Sequence, residues 1–339
     1  LVIVIAGLRA ASPICGPVLF GLFLAMLVLP GVAWLERRGV PTKIAIALTV
    51  LAGCVLLGAT ALLISASLGE LSAAAPIYQV RLQRAIAKGL SLLQERGLVS
   101  AEVTARDLVR VPALFGFVGG TLRQGVVLLA DGVLALLTMI FALLETAGLQ
   151  DKMDAALGKP QENRQRFARV TREVQRYLGI KTLMSLIVGT AIGTWVAVLG
   201  LDFPLLWGTV GFVCHFIPNI GAFLAAVPAV LLAVVQLGPS GAILVAVGIA
   251  AINMGLGNLI EPQLLGRRLG LSPLVVFLSL VFWGFVWGPV GMFLSVPLTM
   301  TLKILLENTP RMGWVAILLG PNPPKPEPPP APEPIPLQE

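Results

Sequence analysis

The sequence predicts an all-α protein that crosses a membrane several times, and three observations predict it. Hydrophobic residues make up 57% of the 339-residue chain and charged residues only 12%, with a mean hydropathy of +0.91. A soluble domain carries about 25% charged residues, so this chain lacks the polar surface to face water on every side. Second, the basic residues behind the net charge of +7 stand in short runs between apolar stretches. Cytoplasmic loops of membrane proteins have that pattern, and it argues against a nucleic-acid partner. Third, two stretches of the C-terminal half repeat one another, with prolines at matched places in apolar surroundings.

The elements follow in order. Residues 1–68 form the N-terminal membrane helices. The run from Leu1 to Ala6 is too short to span, since a crossing helix needs about 20 residues, and is expected to be the stub of a first helix. The second span runs from Ile14 to Leu35 and stops at Glu36, Arg37 and Arg38. After the turn Gly39-Val40-Pro41, Lys43 opens a third span that continues to about Leu68. This short basic loop marks the cytoplasmic side. Residues 69–123 are polar, with Leu82, Ile86, Leu90 and Leu93 at helical spacing, and read as an amphipathic excursion on the opposite side. A fourth span, residues 124–147, leads back. Residues 148–180, with the boundary residue Lys181, carry eight Lys or Arg from Lys152 onward, opposite an apolar face of Phe167, Val170, Val174 and Tyr177. That pattern predicts a helix lying along the cytoplasmic surface, with a basic face suited to lipid or regulation. Residues 181–307 are almost wholly apolar. Residues 308–339 end in a proline-rich tail with no core-forming composition.

The repeat lies within 181–307, as units 181–237 and 240–307. Pro204-Leu205-Leu206 matches Pro273-Leu274-Val275, and Ile220-Gly221-Ala222-Phe223-Leu224 matches Val290-Gly291-Met292-Phe293-Leu294. Each copy has a proline shortly before its central glycine (Pro218, Pro289) and another after it (Pro228, Pro297). Proline removes a backbone donor and clashes with the preceding turn, so Pro218 and Pro289 are expected to break their helices. Broken backbone at membrane depth is tolerated only inside protein or beside a water-filled cavity. Two such hairpins in corresponding halves point to a midplane binding site of a secondary transporter, inverted if each unit crosses an odd number of times.

Polar residues in this region are the site candidates. Glu261 ends an apolar helix, and Pro262 is expected to force an extended backbone on it. An intramembrane carboxylate marks function by default; it either binds a proton or cation or pairs with Arg267 or Arg268. Asn219 stands at the first break with donors and acceptors for a substrate. Asn253 and Asn258 lie five apart and share no α-helical face. His215 is the single histidine and serves either in packing or as a proton relay. Lys303 and Glu307, spaced i, i+4, pair or snorkel at the cytoplasmic end, and Asp131 and Asp202 read as helix-end residues. Cys15, Cys54 and Cys214 have no metal-ligand or disulfide spacing. No catalytic constellation and no Gly-Lys-Ser/Thr phosphate loop is present. The reading is therefore not an enzyme, with no cofactor and no metal.

The runs Phe216-Ile217-Pro218-Asn219-Ile220-Gly221, Asn258-Leu259-Ile260-Glu261-Pro262 and Leu269 to Glu307 resemble the autoinducer-2 exporter family. Asn219, Asn258 and Phe282-Trp283-Gly284 are similar to its signal-exporter branch more than to its sodium–proton antiporter branch. The resemblance implies a bacterial inner-membrane transporter of about eight spanning segments, homo-oligomeric and pentameric. It implies export of a small polar signal molecule by alternating access, driven by an ion gradient (H+ or Na+) or by the substrate's own. It carries over Pro218, Asn219, Gly221, Pro228, Asn258, Glu261, Pro262, Pro289, Gly291 and Pro297. Two other readings stand beside it: a cation–proton antiporter with Glu261 as carrier, and a non-transporting scaffold or channel.

Overall fold

A computed structural model describes residues 2–95, 132–157, 160–265, 270–307 and 312–320, all helical or in short connections. The helices are α1 (Val2–Ala10), α2 (Ser12–Arg37), α3 (Thr42–Glu95), α4 (Gly132–Leu157), α5 (Pro160–Val198), α6 (Pro204–His215) and α7 (Ile220–Gln236). They continue with α8 (Gly238–Ile252), a π-helical segment (Asn253–Ile260), α9 (Glu261–Leu265), α10 (Pro273–Glu307) and α11 (Gly313–Leu319). Among the described residues, five stretches are long and apolar enough to cross a membrane: Ser12–Arg37, Thr42–Ser67, Ala168–Val198, Gly238–Leu265 and Pro273–Glu307. Gly132–Glu145 and Ile220–Gln236 are shorter apolar helices. The protein is thus a multi-pass α-helical membrane protein.

The turn after α2 closes as expected. Gly39 takes φ 86°, its N–H donates to Glu36 and the Val40 N–H donates to Leu35. That is the Schellman arrangement, for which a residue without a Cβ is suited. The excursion begins as an uninterrupted continuation of the third span, since α3 runs from Thr42 to Glu95; residues 96–131, with Asp131, lie outside the described residues. The basic segment is not a separate element. Pro160 to Val198 is one helix, so its second half enters the membrane directly. Val174 and Tyr177 of the expected apolar face are indeed buried.

Helix α5 is the axis of the C-terminal half. Its Gly189 and Gly193 lie against Gly208 of α6, where a Cβ on Gly189 would stand 2.6 Å from the Gly208 carbonyl oxygen. Close backbone approach through small residues is how helices pack without a hydrophobic driving force between them. Chain reversal follows at both predicted breaks. Helix α6 stops at His215, and Asn219, at φ 60°, restarts the chain as α7. Helix α10 is interrupted at Trp287 and Gly288, the latter at φ 61°. In a straight helix residues 16 apart lie about 24 Å from one another, yet Trp283 Nε1 donates to Thr299 Oγ1 at 3.0 Å. So α10 doubles back on itself as well.

The two hairpins open at opposite ends of α5. At one end, the Asp202 backbone N–H donates to Gln236 Oε1 at 2.9 Å, and Gln236 Nε2 donates to the Gly200 carbonyl at 3.0 Å. This closes the mouth of the α6–α7 hairpin just beyond Val198. At the other end, Arg169 pairs with Glu307 at 3.4 Å, which fixes the end of α10 beside the start of the α5 span. Arg169 and Val198 are roughly 44 Å apart along the helix. Between these mouths, Phe216 from the first break stacks on Phe293 of the second hairpin, ring centroids 4.6 Å apart and 19° from parallel. Phe20 and Phe23 of α2 add edge contacts to Phe293.

Gly221 and Gly291 sit where each hairpin is tightest. A Cβ on Gly221 would overlap the Cys214 carbonyl oxygen, and one on Gly291 would overlap that of Trp283. The repeat seen in the sequence is therefore a repeat of backbone geometry. Pro228 lies buried inside continuous α7, and Pro297 lies buried in the limb of α10 after its break at Trp287 and Gly288; neither proline interrupts its helix. Their missing donors fall where the helices are packed, and the helical dihedrals persist through them.

Candidate functional site

Three polar side chains meet in the apolar interior. Lys181 lies on α5, about 18 Å along the helix from Arg169. His215 is the last residue of α6, directly before the first break, and Glu261 begins α9. Their exposures are 5%, 8% and 7%. Lys181 Nζ lies 2.7 Å from Glu261 Oε1, and His215 Nε2 lies 3.0 Å from Glu261 Oε2. The first contact is a hydrogen-bonded ion pair. The second is an electrostatic approach: among the described residues, buried His215 Nε2 has no hydrogen-bond partner. Both carboxylate oxygens are thus engaged. Burying a single carboxylate would cost several kcal/mol, and the ammonium offsets that cost.

The backbone explains how Glu261 reaches this position. Residues Asn253–Ile260 form a π-helical segment, whose i→i+5 bonding widens the helix; such segments are often found at functional sites. The Glu261 N–H donates to Leu256, five residues back. Glu261 itself has φ −56° and ψ −47°, so Pro262 does not force it into an extended conformation. The helix runs directly from the π-helical segment into α9, and the burial of Glu261 and Leu265 holds Glu261 in the α region against the steric bias that Pro262 imposes. The same widening alters the relation between Asn253 and Asn258, because residues five apart come close to one face in a π-helix. Asn253 donates from Nδ2 to the Ile249 carbonyl at 3.0 Å, while Asn258 is exposed. Gly257 faces His215, whose Cε1 would lie 3.4 Å from a Cβ there.

Of the residues singled out in the sequence, the structure therefore brings Glu261 and His215 together. Asn219, four residues past His215, is at the first break and exposed, with no side-chain cap bond. Pro218 and Gly221 flank it, and Pro289 and Gly291 form the second break. Lys303 pairs with Glu307 at 3.2 Å as its spacing suggested. Arg267 and Arg268 lie outside the described residues. Lys181 is the member missed in the sequence, where it closes a run of basic residues and shares their surface explanation. One signal was available: Lys181 is followed by an unbroken uncharged run to Asp202, which places it inside the membrane. Ser185, one turn further along α5, is fully buried, and its hydroxyl has no hydrogen-bond partner among the described residues. No group of three or more His, Cys, Asp and Glu among the described residues could hold a metal ion.

The site joins the two repeat units. Lys181 and His215 belong to the first, and Glu261 to the helix that leads the second. A buried ion pair between the helices that lead the two hairpins marks a functional site in a membrane protein, and comparison with known proteins names the family. The family model described as AI-2E family transporter matches residues 1–311. The chain belongs to the AI-2E transporter family. It is 37% identical over 321 residues to the AI-2 transport protein TqsA of Escherichia coli K12, covering 94% of this chain and 93% of that protein. It is 35% identical over 325 residues to the putative transport protein YhhT of the same organism, covering 96% and 93%. A putative transport protein of Haemophilus influenzae is 34% identical over 325 residues, covering 94% and 93%. As a member of the family the chain is a transport protein, not an enzyme.

Proposed function

We propose that the chain exports a small, polar, polyhydroxylated metabolite of the autoinducer-2 kind by alternating access across a bacterial inner membrane. The observation that carries this reading is the pair of hairpins that open at opposite ends of α5 and meet at Phe216 and Phe293. A carrier needs a site reachable from either side in turn, and inverted hairpins around a common centre supply one. The relative TqsA is named an AI-2 transport protein. The unpartnered hydroxyl of Ser185 and the amides of Asn219 and Asn258 suit a ligand rich in hydroxyl groups. The loop at Arg37 and Arg38 and the basic start of α5 face the cytoplasm in this reading, the fold has about eight spanning segments, and the working form is a homo-oligomer.

A cation–proton antiporter is the second reading, favoured by one observation: a buried carboxylate next to the single histidine. Against it, the Lys181 ammonium at 2.7 Å already occupies the place a bound cation would take. Proton coupling through the Glu261–Lys181–His215 group is compatible with export and needs no separate cation site. Proteoliposomes distinguish these. Efflux of the metabolite that falls at least tenfold in Glu261→Gln is the expected outcome. Sodium-dependent proton movement lost in that variant, without metabolite flux, would establish the antiporter instead. Full cellular function retained after the hairpins are cross-linked through cysteines at 216 and 293 would rule out alternating access.

A further inference from the structure

A second polar site lies on the Arg169 side. A cavity of about 230 Å³ has Arg169, Arg172, Arg176 and Tyr177 of α5 along one wall, and Leu265 of α9 and Met300 of α10 close it. The three arginines stand at i, i+3 and i+7, one face of a helix. Their charges are not equally used. Arg169 is shared between Glu173 at 3.5 Å and Glu307 at 3.4 Å. Arg172 donates from Nε to the Ala168 carbonyl at 3.1 Å, which leaves its two terminal nitrogens available. Arg176 has no carboxylate partner among the described residues. Two guanidinium forks therefore face the cavity, and the one carboxylate among its lining residues, Glu173, is paired with Arg169.

The depth of the cavity names its ligand. The span Ala168–Val198 has 31 residues, or about 46 Å of helix, against a hydrocarbon thickness of about 30 Å. With Val198 near one surface, about ten residues at the other end, Arg169 to Arg176 among them, stand at headgroup level. Guanidinium forks bind phosphate oxygens bidentately, and basic pockets between spanning helices hold acidic lipid headgroups. We infer that this cavity binds a phosphate group through Arg172 and Arg176, supplied at this depth by the headgroup of an acidic phospholipid, with Leu265 of α9 and Met300 of α10 as its apolar wall. The same phosphate chemistry could come from a soluble phosphate ester. The inference does not depend on which substrate the carrier moves.

The test uses the purified full-length protein in a neutral detergent, with three probes: phosphatidylglycerol, phosphatidylethanolamine and soluble glycerol 1-phosphate. Native mass spectrometry counts retained lipid, and thermal unfolding measures stabilisation. Phosphatidylglycerol is expected to be retained and to raise the unfolding temperature, while phosphatidylethanolamine does neither. Arg172→Gln with Arg176→Gln should weaken retention about tenfold to a hundredfold, the usual loss for hydrogen bonds to a charged group. Arg172→Lys with Arg176→Lys keeps the charge and is the safeguard against misfolding; it should retain part of the effect. Arg37→Gln with Arg38→Gln, a basic pair elsewhere, should retain all of it. Stabilisation by glycerol 1-phosphate alone, lost in the glutamine pair, would keep the phosphate site and assign it to a soluble ester. Equal lipid retention in the wild type and the glutamine pair, or no stabilisation by any phosphate, would overturn the inference.

Discussion

Removing the lysine from the buried pair gives the sharpest test of the site. In Lys181→Met the side chain keeps most of its volume, and Glu261 loses an ammonium at 2.7 Å. At an effective dielectric constant of 20 the Coulomb attraction at that distance is about 6 kcal/mol. Part of it offsets desolvation of the two charges, and the measured cost of stranding one member of a buried pair is about 3–5 kcal/mol. Exposures of 5% and 7% place this pair in the buried class. Glu261→Gln alone strands the ammonium and should cost a similar amount. The double variant Lys181→Met with Glu261→Gln strands nothing, so it should be more stable than either single variant, which requires a coupling at least as large as one single cost, about 3–5 kcal/mol. The assay is reversible unfolding in mixed micelles, run on all four proteins. Additive single effects, or a Lys181→Met cost no larger than that of Lys303→Met, would refute the buried-pair argument.

Other outcomes follow from the same geometry. Gly221→Ala and Gly291→Ala each press a methyl group onto a backbone carbonyl that cannot rotate away, so each should lose about 1–3 kcal/mol or more in the unfolding assay, whereas Gly255→Ala, with open space around it, should lose no more than a surface helix glycine does. Asn219→Gly should fold at least as well as the wild type, because φ is 60° there and glycine adopts that conformation freely; metabolite efflux in proteoliposomes should nevertheless fall, and unchanged efflux would remove Asn219 from the site. Tyr78 donates to Asp202 Oδ2 at 2.5 Å, and burial, followed by the hydrogen bond and charge of Asp202, pushes its pKa up to about 12. A raised folded-state value for this acid means that its contribution is full below the ordinary value of 10 and is lost as pH rises from 10 to about 12. Tyr78→Phe should therefore be less stable than the wild type at pH 8, and the difference should shrink above pH 10.

The outline of the C-terminal half was legible in the sequence because its signals are local. Pro218 and Pro289 remove a donor wherever they stand, and the matched glycines three and two residues later mark the tight points. Glu261 and His215 were legible as singular polar residues in apolar runs. Their meeting was not, since 46 residues separate them and no spacing rule spans a chain reversal. The extended backbone expected at Glu261 failed for a related reason. The rule for residues before proline is a local steric bias, and at Glu261 it is overridden by the helix that runs from Asn253–Ile260 straight into α9, whose Glu261 and Leu265 are buried. Pro228 and Pro297 are buried prolines that their packed helices absorb.

The position of the ion pair bears on how a carrier of this design moves. Lys181 stands on the helix that leads the first repeat unit, and Glu261 ends the helix that leads the second. The pair is thus made between bodies that must shift relative to one another if the site is to open on each side in turn. A bond of this type cannot stretch gradually in a low-dielectric interior; it is made or broken, with several kcal/mol between the states. In the proposed exporter, protonating Glu261 would remove its charge and most of that difference, and His215 lies 3.0 Å from the other carboxylate oxygen. The pair would then hold one arrangement until a proton, or a substrate hydroxyl competing for the carboxylate, releases it. On this argument His215→Gln should slow efflux and flatten its dependence on pH while leaving the fold intact. Glu261→Gln, with the latch permanently neutral, should lose pH dependence altogether.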